Sequence, residues 1–317
     1  MGNKILYILL FAWIKINSIL PMSVLYLFAD ISYFFVYHVA GYRRKVVRTN
    51  MINSFPDKTE KEIKNLERKF YHFLTDYFAE TIKIASISQK KLAKRAVIKN
   101  PEVIFDLIDK GHSCFILTAG HYGNWELFSA SGLYFQGRAS LDHVYRPLKN
   151  KAFDKLYIHL RTRFNSPGIK KDEVARTIVD LKRKKSNDIV TLVADQTPSN
   201  EYLEYWTTFL NQDSAIILGP EKIAKKFDVP ILFADMIRVK RGYYALELKL
   251  ITDNPKETPD YFITEEFVRL MNKCIMRDPA FWLWTHKRWK YKRPAADEIF
   301  ALQASRRKSC GSIKASQ

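Results

Sequence analysis

His121 and Glu126 lie five residues apart in Ala119-Gly120-His121-Tyr122-Gly123-Asn124-Trp125-Glu126, and an imidazole beside a carboxylate is the pair on which general-base chemistry is built. The carboxylate fixes the ring tautomer and supports the imidazolium that forms when the ring takes a proton from a hydroxyl. On one continuous helix the two side chains stand about 140° apart around the axis, at roughly 100° per residue, and cannot face each other. They must meet across a turn. Gly120 and Gly123 permit an unusual backbone there, Asn124 is a candidate N-cap, and Glu126 then sits in a first helical turn from which it can reach back to His121. The backbone N–H groups of Gly123 and Asn124, at the start of that helix, are candidate donors to an oxyanion. The same spacing fits a plain helix start, with Glu126 favoured by the helix dipole and His121 merely hydrogen-bonded. Spacing alone leaves both readings open.

The elements that must position this pair follow from periodicity. Cys114 to Ala119 is short, apolar and rich in strand formers, and Leu127 to Phe135 reads as the apolar body of a following helix, so His121 caps the carboxyl end of a strand. Further strands are expected at Leu141 to Tyr145, Ile189 to Ala194, Ile231 to Ile237 and Tyr243 to Ile251, with helices at about 149 to 163, 172 to 185, 216 to 227 and 261 to 276. A long helix is expected from Glu62 to Ile84, preceded by a capping box at Thr59 and Glu62 and striped with Phe70, Phe73, Leu74, Tyr77 and Phe78. Such a stripe is usually core. Asn254 to Pro259 reads as a polar loop. Alternating strands and helices indicate a layered α/β domain around a mostly parallel sheet, in which sites gather at the strands' carboxyl ends. His121, Arg146 and Asp195 each follow an expected strand, so three separate segments converge on one edge.

Composition bounds the rest. A chain of 317 residues, 47% hydrophobic, can bury the core of one large domain. Its three cysteines, Cys114, Cys274 and Cys310, are few and unpaired in spacing, which points to neither a disulfide framework nor a metal site and suits a reducing compartment. The net charge of +19 comes in patches: Arg43 to Arg48, Lys182 to Lys185, and Lys287 to Arg293 beside Trp284 and Trp289. Such patches suit anionic surfaces, although Lys182 to Lys185 also fits a solvated helix end. Ile5 to Ala40 is apolar but broken by Lys15 and Asp30, without the small-residue cleavage site of a signal peptide, so it is expected to remain as an anchor. A tilted span from which Lys15 snorkels and two interfacial helices divided at Pro21 are both open, and the following basic cluster favours the cytoplasmic leaflet. The expected organisation is an anchor over 1–42, a catalytic domain over 43–303 and a basic disordered tail over 304–317.

His121-x4-Glu126 fits the His-x4-Asp/Glu motif of lysophospholipid-type acyltransferases, and further segments resemble, in order, the late acyltransferases of lipid A biosynthesis. These are Arg48-Thr49-Asn50 with Phe55-Pro56, Val144-Tyr145-Arg146-Pro147, Asp195-Gln196, and Trp284-Thr285-His286-Lys287-Arg288-Trp289-Lys290. The resemblance runs from about residue 48 to 290. It implies an α/β acyltransferase that moves a fatty acyl chain from a thioester of acyl carrier protein or coenzyme A to a lipid hydroxyl, with no further cofactor, no metal and no covalent acyl-enzyme. It implies His121 and Glu126 as the catalytic pair, Arg146 as a phosphate or donor contact, and Asp195, Gln196, His286 and Arg288 as substrate contacts. Asp195 could orient Arg146 or His121, or cap a turn before Pro198. The implied partners are acyl carrier protein, an anionic lipid and the membrane surface, not nucleic acid, at the cytoplasmic face of a bacterial inner membrane. The chain departs from the family after Gln196, where Thr197-Pro198-Ser199-Asn200 and Thr208-Phe209-Leu210-Asn211 replace a glycine and a Phe-Phe-Gly-like stretch. Acyl chain and acceptor are therefore not carried over, and another lipid acceptor is a second reading. A third is a non-catalytic basic protein that binds anionic lipid or nucleic acid through Trp284 to Arg293.

Overall fold

The computed structural model describes residues 2–164, 166 and 168–294, so the expected tail over 304–317 lies outside the described residues. Two apolar helices open the chain, α1 (Gly2–Ile19) and α2 (Met22–Tyr33), the second running on through a π-helical stretch, Phe34–Val39. Pro21 stands between them at the N-cap of α2, where its missing N–H costs nothing. After α3 (Arg44–Ser54) comes the long α4 (Glu60–Lys83), started by the Thr59–Glu62 capping box, with Thr59 Oγ1 accepting from the Glu62 N–H and the Glu62 carboxylate from the Thr59 N–H. Phe70, Phe73, Leu74 and Tyr77 are buried, whereas Phe78 is exposed.

The remaining chain alternates: α5 (Gln89–Ala93), β1 (Ala96–Ile98), α6 (Glu102–Asp109), β2 (Cys114–Ala119), β3 (Ser140–Tyr145), α7 (Lys151–Thr162), β4 (Gly168–Lys170), α8 (Val174–Lys184) and β5 (Asp188–Val193). Then follow β6 (Trp206–Phe209), β7 (Gln212–Ala215), α9 (Gly219–Phe227), β8 (Ile231–Lys240), β9 (Tyr243–Thr252) and α10 (Phe262–Arg277). Seven strands form one sheet in the order β1-β9-β8-β2-β5-β3-β4, parallel except for the β8–β9 hairpin. The period of two in β2 divides the interior: Phe115, Leu117 and Ala119 face a large core shared with α4, and Cys114 and Ile116 face a smaller one shared with α8 and α9. β2 lies between β5 and β8, so its carboxyl end, where His121 follows, is enclosed by neighbours on both sides.

The five expected strands and the long helices match the observed elements to within a few residues. The three-residue β1 and β4 were not expected, being too short for a periodicity signal, nor was the β6–β7 hairpin, whose turn places Leu210 and Asn211 at positive φ. The helix expected after His121 is a 3-10 helix, Trp125–Phe135, and Asn124 makes no side-chain cap at its start among the described residues.

The segments that resembled family motifs at the two ends of the domain hold each other. The Asn50 amide donates to the carbonyls of Trp284 and His286, both at 2.9 Å, and Arg43 donates to the Thr285 carbonyl. Arg44 and Arg48 both bond the buried Glu67 carboxylate of α4. The arginines of the Arg43 to Arg48 patch thus also tie elements together, while Arg43 and Lys45 stay exposed. Removing the Asn50 amide strands two carbonyls at once; Asn50→Ala is expected to cost about 1–3 kcal/mol in urea unfolding, and a change of only a few tenths would show that the tie is dispensable.

Candidate active site

Asp195, just past β5, is the centre of the site. Its buried carboxylate accepts the His121 backbone N–H (2.8 Å), lies 2.7 Å from His121 Nδ1, and accepts the Trp282 indole N–H at 2.7 Å. A carboxylate is only an acceptor, so the ring proton sits on Nδ1 and the lone pair on Nε2. Burial pushes the Asp195 carboxyl up, and His121 and Trp282 more than offset that, leaving it below its ordinary value. Two features of the local sequence permit the geometry. A Cβ on Gly120 would meet the Met271 side chain at 2.5 Å and Asp195 Oδ2 at 3.2 Å, and one on Gly123, at φ +63°, would meet Met236 Sδ at 2.5 Å. A short bridge pairs Tyr122 with Trp282: the Gly123 N–H donates to the Phe281 carbonyl at 2.8 Å and the Leu283 N–H to the His121 carbonyl at 3.1 Å.

On its other side the imidazole is partly open, with Nε2 3.3 Å from the Gln196 amide nitrogen and the Trp125 ring edge-on at 4.9 Å. In this tautomer Nε2 accepts the Gln196 amide N–H, so an arriving hydroxyl must take that donor's place to meet the basic nitrogen.

Glu126 does not meet His121, which corrects the expected pair. It lies behind Trp125, fully inside the protein, and takes a bidentate contact from Arg161 of α7, with Nε at 2.8 Å and a terminal nitrogen at 2.5 Å, while the Tyr77 hydroxyl stands at 3.5 Å. Burial would raise its carboxyl, and Arg161 overrides that and holds it low. The 3-10 geometry turns Glu126 toward α7, so the orienting role falls to Asp195, which was one of its open alternatives.

The other expected residues separate. The Gly123 N–H is committed to Phe281, which removes it as an oxyanion donor; the Asn124 N–H makes no backbone hydrogen bond to the described residues. Arg146 stands exposed just past β3 and bonds none of the described side chains. His286 accepts the Thr197 N–H on Nε2 at 3.3 Å, and burial pushes its imidazole down to about 4, which makes it a neutral acceptor toward Thr197. Arg288, 2% exposed, donates to the Ala215 carbonyl and lies over the Phe209 ring, which places it in the interior instead of on a substrate. Arg161 and Trp282 were missed, since neither has a spacing that links it to the histidine turn.

A mostly parallel α/β sheet with a carboxylate-oriented histidine at its carboxyl edge is an arrangement suited to a general base. The chain belongs to the bacterial lipid A biosynthesis acyltransferase family, whose model matches residues 3–291. It is thus an acyltransferase at the level of its family. A search of curated proteins found no significant match.

Asp195→Asn is expected to lower kcat for acyl transfer by about 10²–10⁴ at neutral pH, and wild-type turnover in that variant would remove the dyad from the mechanism. His286 also gives a stability signature. Its folded value of about 4 lies below the roughly 6.5 of an unfolded histidine, so its contribution is full above pH 6.5 and is lost as pH falls toward 4. The melting temperature of the wild type should fall more steeply than that of His286→Gln across this window; equal slopes in the two proteins would contradict a neutral His286.

Proposed function

We propose that the protein transfers a fatty acyl chain from the thioester of acyl carrier protein to a hydroxyl of a lipid A precursor at the cytoplasmic face of a bacterial inner membrane. The observation that carries the chemistry is the His121 ring, held through Nδ1 by Asp195 with Nε2 turned to the open side. The acceptor hydroxyl gives its proton to Nε2 as its oxygen attacks the thioester carbonyl, and Asp195 supports the imidazolium. The tetrahedral intermediate then expels the thiolate, which recovers the proton from the ring, so ester and thiol are the products and no acyl-enzyme is formed. The Asn124 N–H is the backbone donor we assign to the developing oxyanion. Glu126 acts through Arg161 by anchoring the turn on α7, and Arg146, exposed beside the same sheet edge, is the cation we assign to a phosphate of donor or acceptor.

Support for the membrane comes from the N-terminus. Met22–Val39 is long and apolar enough to cross a bilayer by length and composition. Yet α1 and α2 lie along α4 and α7, with Ile5, Leu9, Trp13 and Ile16 of α1 and Leu27, Phe28 and Ile31 of α2 turned outward. Lys15, an exposed residue, donates to the Ala85 carbonyl at 2.7 Å, and Lys83 donates to the carbonyls of Ser18 and Leu20. An apolar outer face on helices bonded to the domain through their inner face favours interfacial seating over a projecting span. A stacking platform for nucleic acid at Trp284 to Arg293 has no such support, because Trp284 and Arg288 are buried.

The test is mass spectrometry of lipid A and phospholipids from cells lacking the gene and from cells complemented with wild type, Asp195→Asn or Glu126→Ala. We expect one acyl chain to be missing from lipid A in the deletion and restored only by the wild type. A shift confined to another lipid would assign a different acceptor, and unchanged lipids throughout would remove the acyltransfer reading.

A further inference from the structure

Glu80 of α4 is 2% exposed and has no cationic partner bonded to it among the described residues. Its carboxylate accepts three neutral donors from three separate parts of the fold. The Asn124 amide of the histidine turn bonds Oε2 at 2.9 Å, the Tyr244 hydroxyl of β9 bonds Oε2 at 3.0 Å, and the Tyr26 hydroxyl of α2 bonds Oε1 at 3.2 Å. Burial raises its carboxyl above the ordinary value, the expected cost of a carboxylate held inside by neutral donors alone. One helical turn away the connection is doubled: Asp30 of α2 bonds Arg241, and Arg241 bonds Asp76 of α4. Tyr26 and Asp30 are four residues apart on one side of α2, Tyr26 half-buried and Asp30 exposed, while Leu27, Phe28 and Ile31 are exposed on its other side. The helix with the lipid-facing apolar surface is thereby two hydrogen bonds from Asn124. The Asn124 side chain is wholly buried and its Oδ1 has no partner among the described residues, so its Nδ2 bond to Glu80 is its main anchor.

We propose that Glu80 is a positioning residue that couples the seating of α2 on a lipid surface to the geometry of the His121 turn, with Tyr26 as its contact on the lipid side and Asn124 on the catalytic side. In its kinetic consequence this rests on the acyltransfer reading; in its structural consequence it does not. Tyr26→Phe removes the lipid-side link alone. Glu80→Gln presents an NH2 group to donors that need acceptors, and so disturbs the catalytic side as well.

Hydrogen exchange of the full-length chain, in detergent solution and on phosphatidylethanolamine–phosphatidylglycerol vesicles, reads the coupling without substrate. In the wild type, peptides spanning residues 119–128 should exchange about tenfold more slowly on vesicles, the signature of a turn whose local opening is suppressed. Tyr26→Phe and Glu80→Gln should bind the vesicles and lose that difference. Slowing retained in Tyr26→Phe, or none in the wild type, overturns the proposal, and if Glu80→Gln fails to fold the Tyr26 variant decides. In turnover with a vesicle-borne acceptor, with rates normalised to the folded fraction measured by circular dichroism, Glu80→Gln should lower kcat about 10- to 100-fold with the donor KM within about twofold, and a kcat that returns to the wild-type value after this normalisation would show a loss of stability alone. A wild type without transfer activity would remove the function proposed above while leaving the exchange result to stand or fall alone.

Discussion

The buried carboxylate of Asp195 is the interaction on which the rest of the site depends. An ionised group inside a protein must be surrounded by donors, and this one collects them from the backbone and ring of His121 and from the indole of Trp282. These bonds join the carboxyl ends of β2 and β5 to the C-terminal segment, so satisfying one charge also fixes the imidazole tautomer. Gly120 follows from the same requirement, since a side chain there would press on Asp195 and Met271. Arg288 lies close enough to favour the charge on Asp195 without bonding it, and burial lowers its own guanidinium to about 10.

Buried acids recur in the interior, and each of these takes one or two basic partners. Glu67 takes Arg44 and Arg48, Asp76 takes Arg238 and Arg241, Glu126 takes Arg161, and Asp235 takes Arg277 and Lys249. Breaking such a pair leaves a desolvated charge, which is far more costly than losing a surface contact. Of the cations in the sequence patches, Arg44 and Arg48 are partners of a buried acid, whereas Arg146, outside the patches, stays exposed. α4 carries three of these acids at Glu67, Asp76 and Glu80 and bonds through them to α3, α2, β9 and the catalytic turn. Its aromatic stripe packs the core while its acids tie the surrounding elements, so one helix serves both purposes.

The legible parts of the sequence are those with periodicity or strong local chemistry. β2, β5 and the β8–β9 pair were legible because apolar runs of that length between turn residues suit few other structures, and Thr59–Glu62 because a capping box is closed within four residues. β1 and β4 fall below the length at which a period can be recognised. Asp195 was legible as a candidate at a strand end that could orient Arg146 or His121, and only the fold chose His121.

The chain by itself determined the α/β class, the apolar N-terminal helices, the position of His121 at a strand's carboxyl end and the family to which it belongs, because these depend on residue type and short-range order. Only the tertiary structure decided that Asp195 orients the histidine, that Glu126 bonds Arg161, that Gly123 is spent on Phe281 and that Trp284 and Arg288 are interior. The physical reason is that a hydrogen bond forms across about 3 Å of space whatever the distance along the chain. His121 and Asp195 are 74 residues apart in sequence and touch, whereas His121 and Glu126, five apart, are turned away from each other by the backbone between them.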